Sequence, residues 1–393
     1  MSDGYWTEER RMMQEAARSF TASEVLPVAN ELDPEKGEIP RALIDKMAEM
    51  GYFGITIPED KGGLGLGCFE YCIIAEELAR GWMSVASLIA RGNGFWRSVP
   101  GQGAERDEKI ARMAAGQYLG AFAMSEPNAG SDMAGVSCRA TRDGDDWIIN
   151  GNKYWCTFAD GADFISVVCR VDSDSERRQG GMKSIAVEKP RGELPAGVQG
   201  SPIPKIGYHG WKTWELHFDN VRVPALERDE SSGEPGPASM AGGFVGIQRG
   251  LEVARAHTAA RSIGAAEGAL KVAIDYAGAR EQFGRPIGQF QAIRFKIATA
   301  ATEIEAARQL MYHVCNEIDH GRRADKEAAM VKYFAAEMSE RVTSECLQIM
   351  GGAGYTTHYP VERYWRDARL TKIFEGTSEI MQRIISDRLL GKG

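Results

Sequence analysis

The apolar positions of this chain fall into three blocks with different periods. Across residues 7–116 they recur at helical spacing. Thr7 makes a fair N-cap, Glu8 and Glu9 follow in the first turn, and Met13, Ala16, Ala17 and Phe20 form an apolar stripe. Pro40 opens a second helix, with Leu43, Met47 and Met50 inward and Gly51 as its stop. Further helices are expected over residues 69–79 and 84–89. The glycine-rich run at 58–67 lacks the Gly-Lys-Ser/Thr ending of a nucleotide-triphosphate loop and reads as a tight connection.

Near Leu119 the period changes. Residues 146–157 hold Asn150-Gly151 between two strand-like runs, which predicts a hairpin turn there. Residues 164–169 and 184–187 are β-rich. Trp214, Leu216 and Phe218 alternate with Glu215, His217 and Asp219, a half-buried strand with His217 facing solvent. Residues 229–237, rich in Ser, Gly, Glu and Pro, read as a linker. From Ala241 the pattern is helical again, in three long runs at 244–279, 290–320 and 324–350. In the last run Met330, Phe334, Met338, Val342, Cys346 and Ile349 lie mostly three or four apart, and Gly351 stops it. The fold class is mainly α with a central β domain. Residues 1–118 form a helical domain, 119–235 a small β domain and 236–393 a helical domain compatible with a four-helix bundle.

Composition narrows the chemistry. A net charge of −8 argues against nucleic acid as the main partner. The seven cysteines lack zinc spacing. Cys68 and Cys72 sit one helical turn apart, but no second pair follows, and the six histidines form no His-x-x-x-His motif. Both facts point to a reducing cytoplasmic setting without a structural metal. The N-terminus is not a signal peptide and no long uncharged apolar run suggests a membrane span.

One stretch invites a catalytic reading. Glu375 precedes Gly376, Thr377 and Ser378, and Ile380, Met381, Ile384 and Ile385 follow at helical spacing. A carboxylate on a bend before a capped helix, beside Ile373 and Phe374, suits a desolvated general base. On those residues alone, an ordinary surface glutamate before a helix is the better fit.

Five separated motifs decide more. Residues 124–132, Met-Ser-Glu-Pro-Asn-Ala-Gly-Ser-Asp, resemble the Thr-Glu-Pro-x-Ala-Gly-Ser-Asp signature of acyl-CoA dehydrogenases. Trp155-Cys156-Thr157 resembles that family's Trp-Ile-Thr. Residues 280–287 with Phe290-Gln291, residues 348–355, and Phe374-Glu375-Gly376-Thr377 match its remaining signatures, in the family's order. The resemblance implies a helical domain, a β-barrel-like middle domain and a C-terminal four-helix bundle. It implies bound FAD, an acyl-CoA substrate and α,β-dehydrogenation with Glu375 as base. A pKa raised toward working pH by burial against substrate and flavin is expected of that base.

The same resemblance assigns the other residues. Phe122, Met124 and Ser125 line the isoalloxazine, Trp155 packs on it and Thr157 reaches N5. Ser131 lies near the CoA arm. Arg280, Gln282, Phe283, Gln291, Gln348, Gly351 and Gly352 meet the FAD of a neighbouring subunit. Thr377 and Glu379 also meet the cofactor, although the family often has Gln where Glu379 stands. Glu252 and Arg255 hold CoA, and the Glu375 N–H beside Gly376 polarises the thioester carbonyl. Some members carry the base on the first long C-terminal helix, but the matching residue here is Ala254. Glu252 lies about 200° away around that helix. Electron-transfer flavoprotein is the expected acceptor and a homotetramer the expected assembly. An oxygen-using oxidase and a catalytically silent assembly protein on this fold are the competing readings. Glutaryl-type members carry an Arg where Ala86 stands, so a dicarboxylate is not expected. Arg91 and Arg97 lie nearby, and Phe95 and Trp96 would shorten the pocket. A short, branched or cyclic acyl chain follows.

Overall fold

The computed structural model describes residues 4–171, 181–225 and 243–391, except the side chains of 243–249. The expected linker lies outside these residues. The N-terminal helices are α1 (Glu8–Phe20), α2 (Leu26–Leu32), α3 (Arg41–Glu49), α4 (Cys68–Gly81), α5 (Met83–Leu88), α6 (Ala90–Asn93) and α7 (Gly103–Ala114). A π-helical turn, Thr21–Val25, joins the first two. Thr7 caps α1 by accepting from the Arg10 N–H, and Gly51 stops α3 at φ 73°. Met50, expected inward, is 38% exposed, because α3 ends at Glu49 and Met50 falls on the outward side of its cap. The glycine-rich connection folds back on itself, with Leu64 N–H on the Gly54 carbonyl and Leu66 N–H on that of Ile55.

The middle block is a seven-stranded sheet of β1 (Gly120–Ala123), β2 (Arg139–Asp143), β3 (Asp146–Thr157), β4 (Phe164–Val171), β5 (Met182–Glu188), β6 (Val198–Pro202) and β7 (Thr213–Pro224). The order is β1-β4-β2-β3-β7-β6, with β5 antiparallel to β4. Leu216 and Phe218 are buried and His217 is exposed, as alternation required. The expected turn at Asn150-Gly151 does not form. The β3 strand runs straight through it, and the hairpin lies at Gly144 (φ 61°), between the paired Asp143 and Asp146. Instead β7 bulges opposite, at Asn220 (φ 49°), whose N–H donates to the Asn150 Oδ1 at 2.8 Å. A β-bulge needs the same turn-prone residues as a hairpin, so the dipeptide alone does not separate them.

The C-terminal block holds α8 (Gly243–Ala279), a two-residue ladder of β8 (Glu281–Gln282) and β9 (Arg285–Pro286), α9 (Gln291–Asp319), α10 (Asp325–Met350), α11 (Val361–Thr371) and α12 (Ser378–Leu390). Met338, Val342, Cys346 and Ile349 face its core, while Phe334 is 36% exposed. None of the described helices is long and apolar enough to cross a membrane. The axis is α8, which presses against α4 so closely that a Cβ on Gly264 would stand 2.1 Å from the Glu76 carbonyl oxygen. Buried Glu76 and Glu77 of α4 are neutralised by Arg308 at 2.8 Å and Arg18 at 2.9 Å. Cys68 and Cys72 meet Cys315 of α9, with Cys68 Sγ 3.9 and 3.7 Å from their sulfurs. Burial pushes the Cys72 and Cys315 thiols well above their ordinary value, so they pack as protonated apolar groups.

Overpacking at the α4–α8 contact should be expensive. Gly264→Ala is expected to lose about 1–3 kcal/mol in urea unfolding. Gly278→Ala on the same helix, where a new Cβ meets nothing within 4 Å, should be neutral or stabilising. Equal effects would refute the contact argument. A second test concerns Asp367 of α11, which accepts the Tyr208 N–H at 2.5 Å. Burial, reinforced by Asp33, pushes its pKa up to about 7. The native state therefore holds a proton that the unfolded chain has released, and stability falls as pH rises from about 4 to 7. Asp367→Asn keeps an acceptor without the charge. Its melting temperature should gain on wild type between pH 5 and pH 8, and a constant difference would contradict this.

Candidate active site

After α11 the chain turns back on itself. The N–H groups of Ile373 and Phe374 both bond the Leu370 carbonyl, and Glu375 then enters the left-handed region at φ 53°. Gly376 follows at φ 93°, and Thr377 caps α12 by accepting the Ile380 N–H at 3.2 Å. A non-glycine residue with positive φ persists only where its surroundings over-determine the bend. They do so here. Buried Lys332 of α10 donates to the Gly376 carbonyl, and Ser378 Oγ donates to Glu337 at 2.7 Å. Burial pulls the Lys332 pKa down to about 8, against the opposing pull of Glu375.

The bend aims the Glu375 carboxylate at α8. Thr258 Oγ1 donates to one oxygen at 2.5 Å and Arg261 Nη2 to the other at 2.7 Å. Thr258 and Arg261 are three residues apart, hence on one helix face. Arg261 is fully buried, and its remaining donors reach Ser87 Oγ at 2.7 Å, Thr258 Oγ1 at 2.9 Å and the His257 carbonyl at 3.3 Å. The Phe374 ring lies 4.9 Å from its guanidinium. The expected apolar setting for Glu375 is thus corrected. Phe374 shields the arginine, and the carboxylate itself sits in a polar clasp, 30% exposed. Ala254 lies one turn before Thr258, its carbonyl 2.9 Å from the Thr258 Oγ1. Glu252 accepts the Ala324 N–H at 3.5 Å, at the start of α10.

A second group gathers at the ends of β1 and β3. The Ser125 carbonyl accepts the Tyr154 N–H at 2.8 Å. Buried Lys153 donates to the Met124 carbonyl at 2.9 Å and to Glu126 at 2.8 Å. Between Lys153 and Cys156 the β3 ladder slips, and Trp155 takes φ 64° with its indole 56% exposed. Thr157 and Thr213 share a hydroxyl hydrogen bond of 3.0 Å. Phe122 is half-buried, its ring 6.4 Å from that of Phe95, while Ser131 is exposed.

Models of three acyl-CoA dehydrogenase domains match the chain: N-terminal at 7–117, middle at 121–221 and C-terminal at 241–390. The chain belongs to the acyl-CoA dehydrogenase family. It is similar to the (2S)-methylsuccinyl-CoA dehydrogenase of Cereibacter sphaeroides, at 36% identity over 98% of this chain and 70% of that protein. It is equally similar, at 36%, to the caffeyl-CoA reductase-Etf complex subunit CarC of Acetobacterium woodii, over 99% and 100% of the two chains. Among solved structures, the butyryl-CoA dehydrogenase of Megasphaera elsdenii matches at TM-score 0.87 and 31% identity, over 98% of this chain and 99% of that one. Relatives in this acyl-CoA dehydrogenase family are oxidoreductases acting on CH–CH bonds, and the cofactor is FAD.

Other family positions lie elsewhere on the chain. Arg280, Gln282, Phe283 and Gln291 are exposed beyond the end of α8, and Phe283 is 94% exposed. They lie about 28 Å along the helix axis from Arg261. The Lys296–Glu345 ion pair brings the end of α10, with exposed Gln348, Gly351 and Gly352, to that same pole. Thr377 and exposed Glu379 flank the bend at Glu375. Arg255 is 8% exposed and its Nε has no partner among the described residues. Sequence reasoning missed Thr258, Arg261 and Lys332. The available signal was three polar residues, His257, Thr258 and Arg261, interrupting the alanine-rich run of α8.

Arg261 makes Glu375 structural as well as chemical. Glu375→Ala leaves a buried guanidinium short of an acceptor and should cost about 1–3 kcal/mol in urea unfolding. Glu375→Gln retains an acceptor and should cost less. An alanine variant as stable as wild type would show that the clasp contributes nothing.

Proposed function

We propose that this protein oxidises the Cα–Cβ bond of an acyl-CoA thioester to the 2-enoyl-CoA, with Glu375 as the base that takes the α proton. The observation that carries this reading is the Glu375 carboxylate, held on a strained bend, partly open, and clasped by Thr258 and Arg261. With Ala254 one turn away on α8, no carboxylate occupies the alternative family position, which favours Glu375.

The residues present fit FAD. The exposed Trp155 indole, held out on a strained bulge, offers a flat face beside Ser125, Thr157, Phe122 and Met124. FAD, when bound, supplies the hydride acceptor that no side chain provides. The chain's own work is positional and electrostatic. The α proton passes to a Glu375 oxygen, which must first release Thr258 or Arg261 or share with them. The Glu375 N–H polarises the thioester carbonyl as negative charge develops there. Buried Arg255, with Glu252 one turn earlier, holds the CoA arm together with Ser131.

Arg280, Gln282, Phe283, Gln291, Gln348, Gly351 and Gly352 would then serve the FAD of a neighbouring copy, in a homotetramer. Their exposure and distance from Glu375 support that reading. Similarity to a subunit of a complex named with Etf supports electron-transfer flavoprotein as acceptor. Seven free, buried thiols suit a cytoplasmic setting.

The test is anaerobic bleaching of the FAD-loaded protein by a panel of acyl-CoAs. Glu375→Gln should keep its flavin and lose bleaching rate on the order of 1,000-fold. Bleaching at the wild-type rate would remove Glu375 from the base role.

A further inference from the structure

Arg91, on α6, is like Arg255 a guanidinium near Glu375 whose Nε has no partner among the described residues. Its central carbon lies 4.9 Å from the Trp211 ring centre, 5.9 Å from that of Phe95 and 6.0 Å from that of Phe158. Among the described residues no carboxylate, carbonyl or hydroxyl accepts a hydrogen bond from it, and its Nε is enclosed without a partner. Burial works against its charge, while the Glu375 carboxylate pulls the other way and Arg261 repels it. It lies four residues after Ser87, whose Oγ meets Arg261, and against Trp211, whose ring touches Tyr208 and through it Phe374, so it borders the same space as Glu375.

The rest of that space is polar too. Arg261 is fully engaged by Ser87, Thr258, the His257 carbonyl and Glu375. The Tyr71 ring stacks on His257 at 4.5 Å, and burial keeps that imidazole neutral. Cations outnumber carboxylates here: Arg261 and Lys332, both buried, and half-buried Arg91 face Glu375. An alkyl chain laid here would seal Arg91 in without a counter-charge, which is costly.

We propose that the substrate's acyl group carries a second carboxylate and that Arg91 binds it, so that the substrate class is the CoA monothioester of a dicarboxylic acid. This rests on the acyl-CoA reading of the Glu375 site. It reverses the expectation drawn from Ala86. The arginine of a glutaryl-type pocket is absent there, but Arg91, five positions later, brings a guanidinium to the pocket from a different point of the fold. The ligand's anion restores charge balance, and a planar guanidinium is suited to bind a carboxylate through two parallel hydrogen bonds.

The experiment measures binding rather than turnover. The probes are 3-thia acyl-CoAs, whose sulfur at the β position carries no hydrogen to give up. Each 3-thia dicarboxylyl-CoA of five to seven chain atoms is paired with an analogue bearing methyl in place of the distal carboxylate. Dissociation constants for the oxidised, FAD-loaded protein are read from the flavin spectrum and by calorimetry. We expect at least one dicarboxylyl member to bind on the order of 100-fold tighter than its methyl partner. That ratio should fall to a few-fold in Arg91→Met and be partly kept in Arg91→Lys. Equal binding in every pair, or tighter binding of the methyl partners, would overturn the proposal. So would a ratio unchanged in Arg91→Met. Should that variant fail to hold FAD, the wild-type and Arg91→Lys ratios decide. Failure of every probe to bind would instead overturn the acyl-CoA reading, and this proposal with it.

Discussion

The close approach of α8 to α4 is the constraint on which the rest depends. Gly264 lets the two backbones touch at the Glu76 carbonyl, and Gly268 does the same at Arg80. That contact fixes the rotation of α8, and the rotation decides which face carries His257, Thr258 and Arg261 toward α5 and the Glu375 bend. Charges inside the contact are tolerable because they are matched. Arg308 joins Glu76 on α4 to Glu267 on α8, both at 2.8 Å, so it pins two helices from a third. Sterics set the distance and the ion pairs set the register.

The bend at Glu375 is built on that frame from the other side. Lys332, Thr377 and Ser378 hold it, and each belongs to a different part of the C-terminal block or to the start of α12. The carboxylate is therefore positioned by the scaffold before any ligand arrives, which is the condition for an oriented general base. Arg261 performs two tasks in this arrangement. It satisfies Glu375, and its own burial is made tolerable by Glu375 in return.

Much of this was legible in the sequence, for physical reasons that differ from place to place. Thr7, Pro40 and Thr377 announced helix starts because capping is local chemistry. The alternation around His217 was legible because burial on one face of a strand has period two. Asn150-Gly151 misled because a bulge and a turn need the same backbone freedom, and only the partner strand distinguishes them. Arg261 was not legible because Glu375, its partner, lies 114 residues away in sequence. Arg91 could be named as nearby, but that it lacks an acceptor is a property of the folded interior. The residues around Trp155 could be gathered only through the family resemblance, since no periodicity links β1 to the end of β3.

The slip in β3 has a further meaning. Ile149 and Lys153 point inward at odd positions, and Cys156 points inward at an even one. The strand thus changes phase at Trp155, as if one residue had been spliced into an otherwise regular alternation. Removing a residue there would restore a single phase, relieve the positive φ and give a more regular ladder with β7. It would also remove the bulge on which the indole is held out, 56% exposed. In this segment chain length is itself functional information: the better strand would be the worse site.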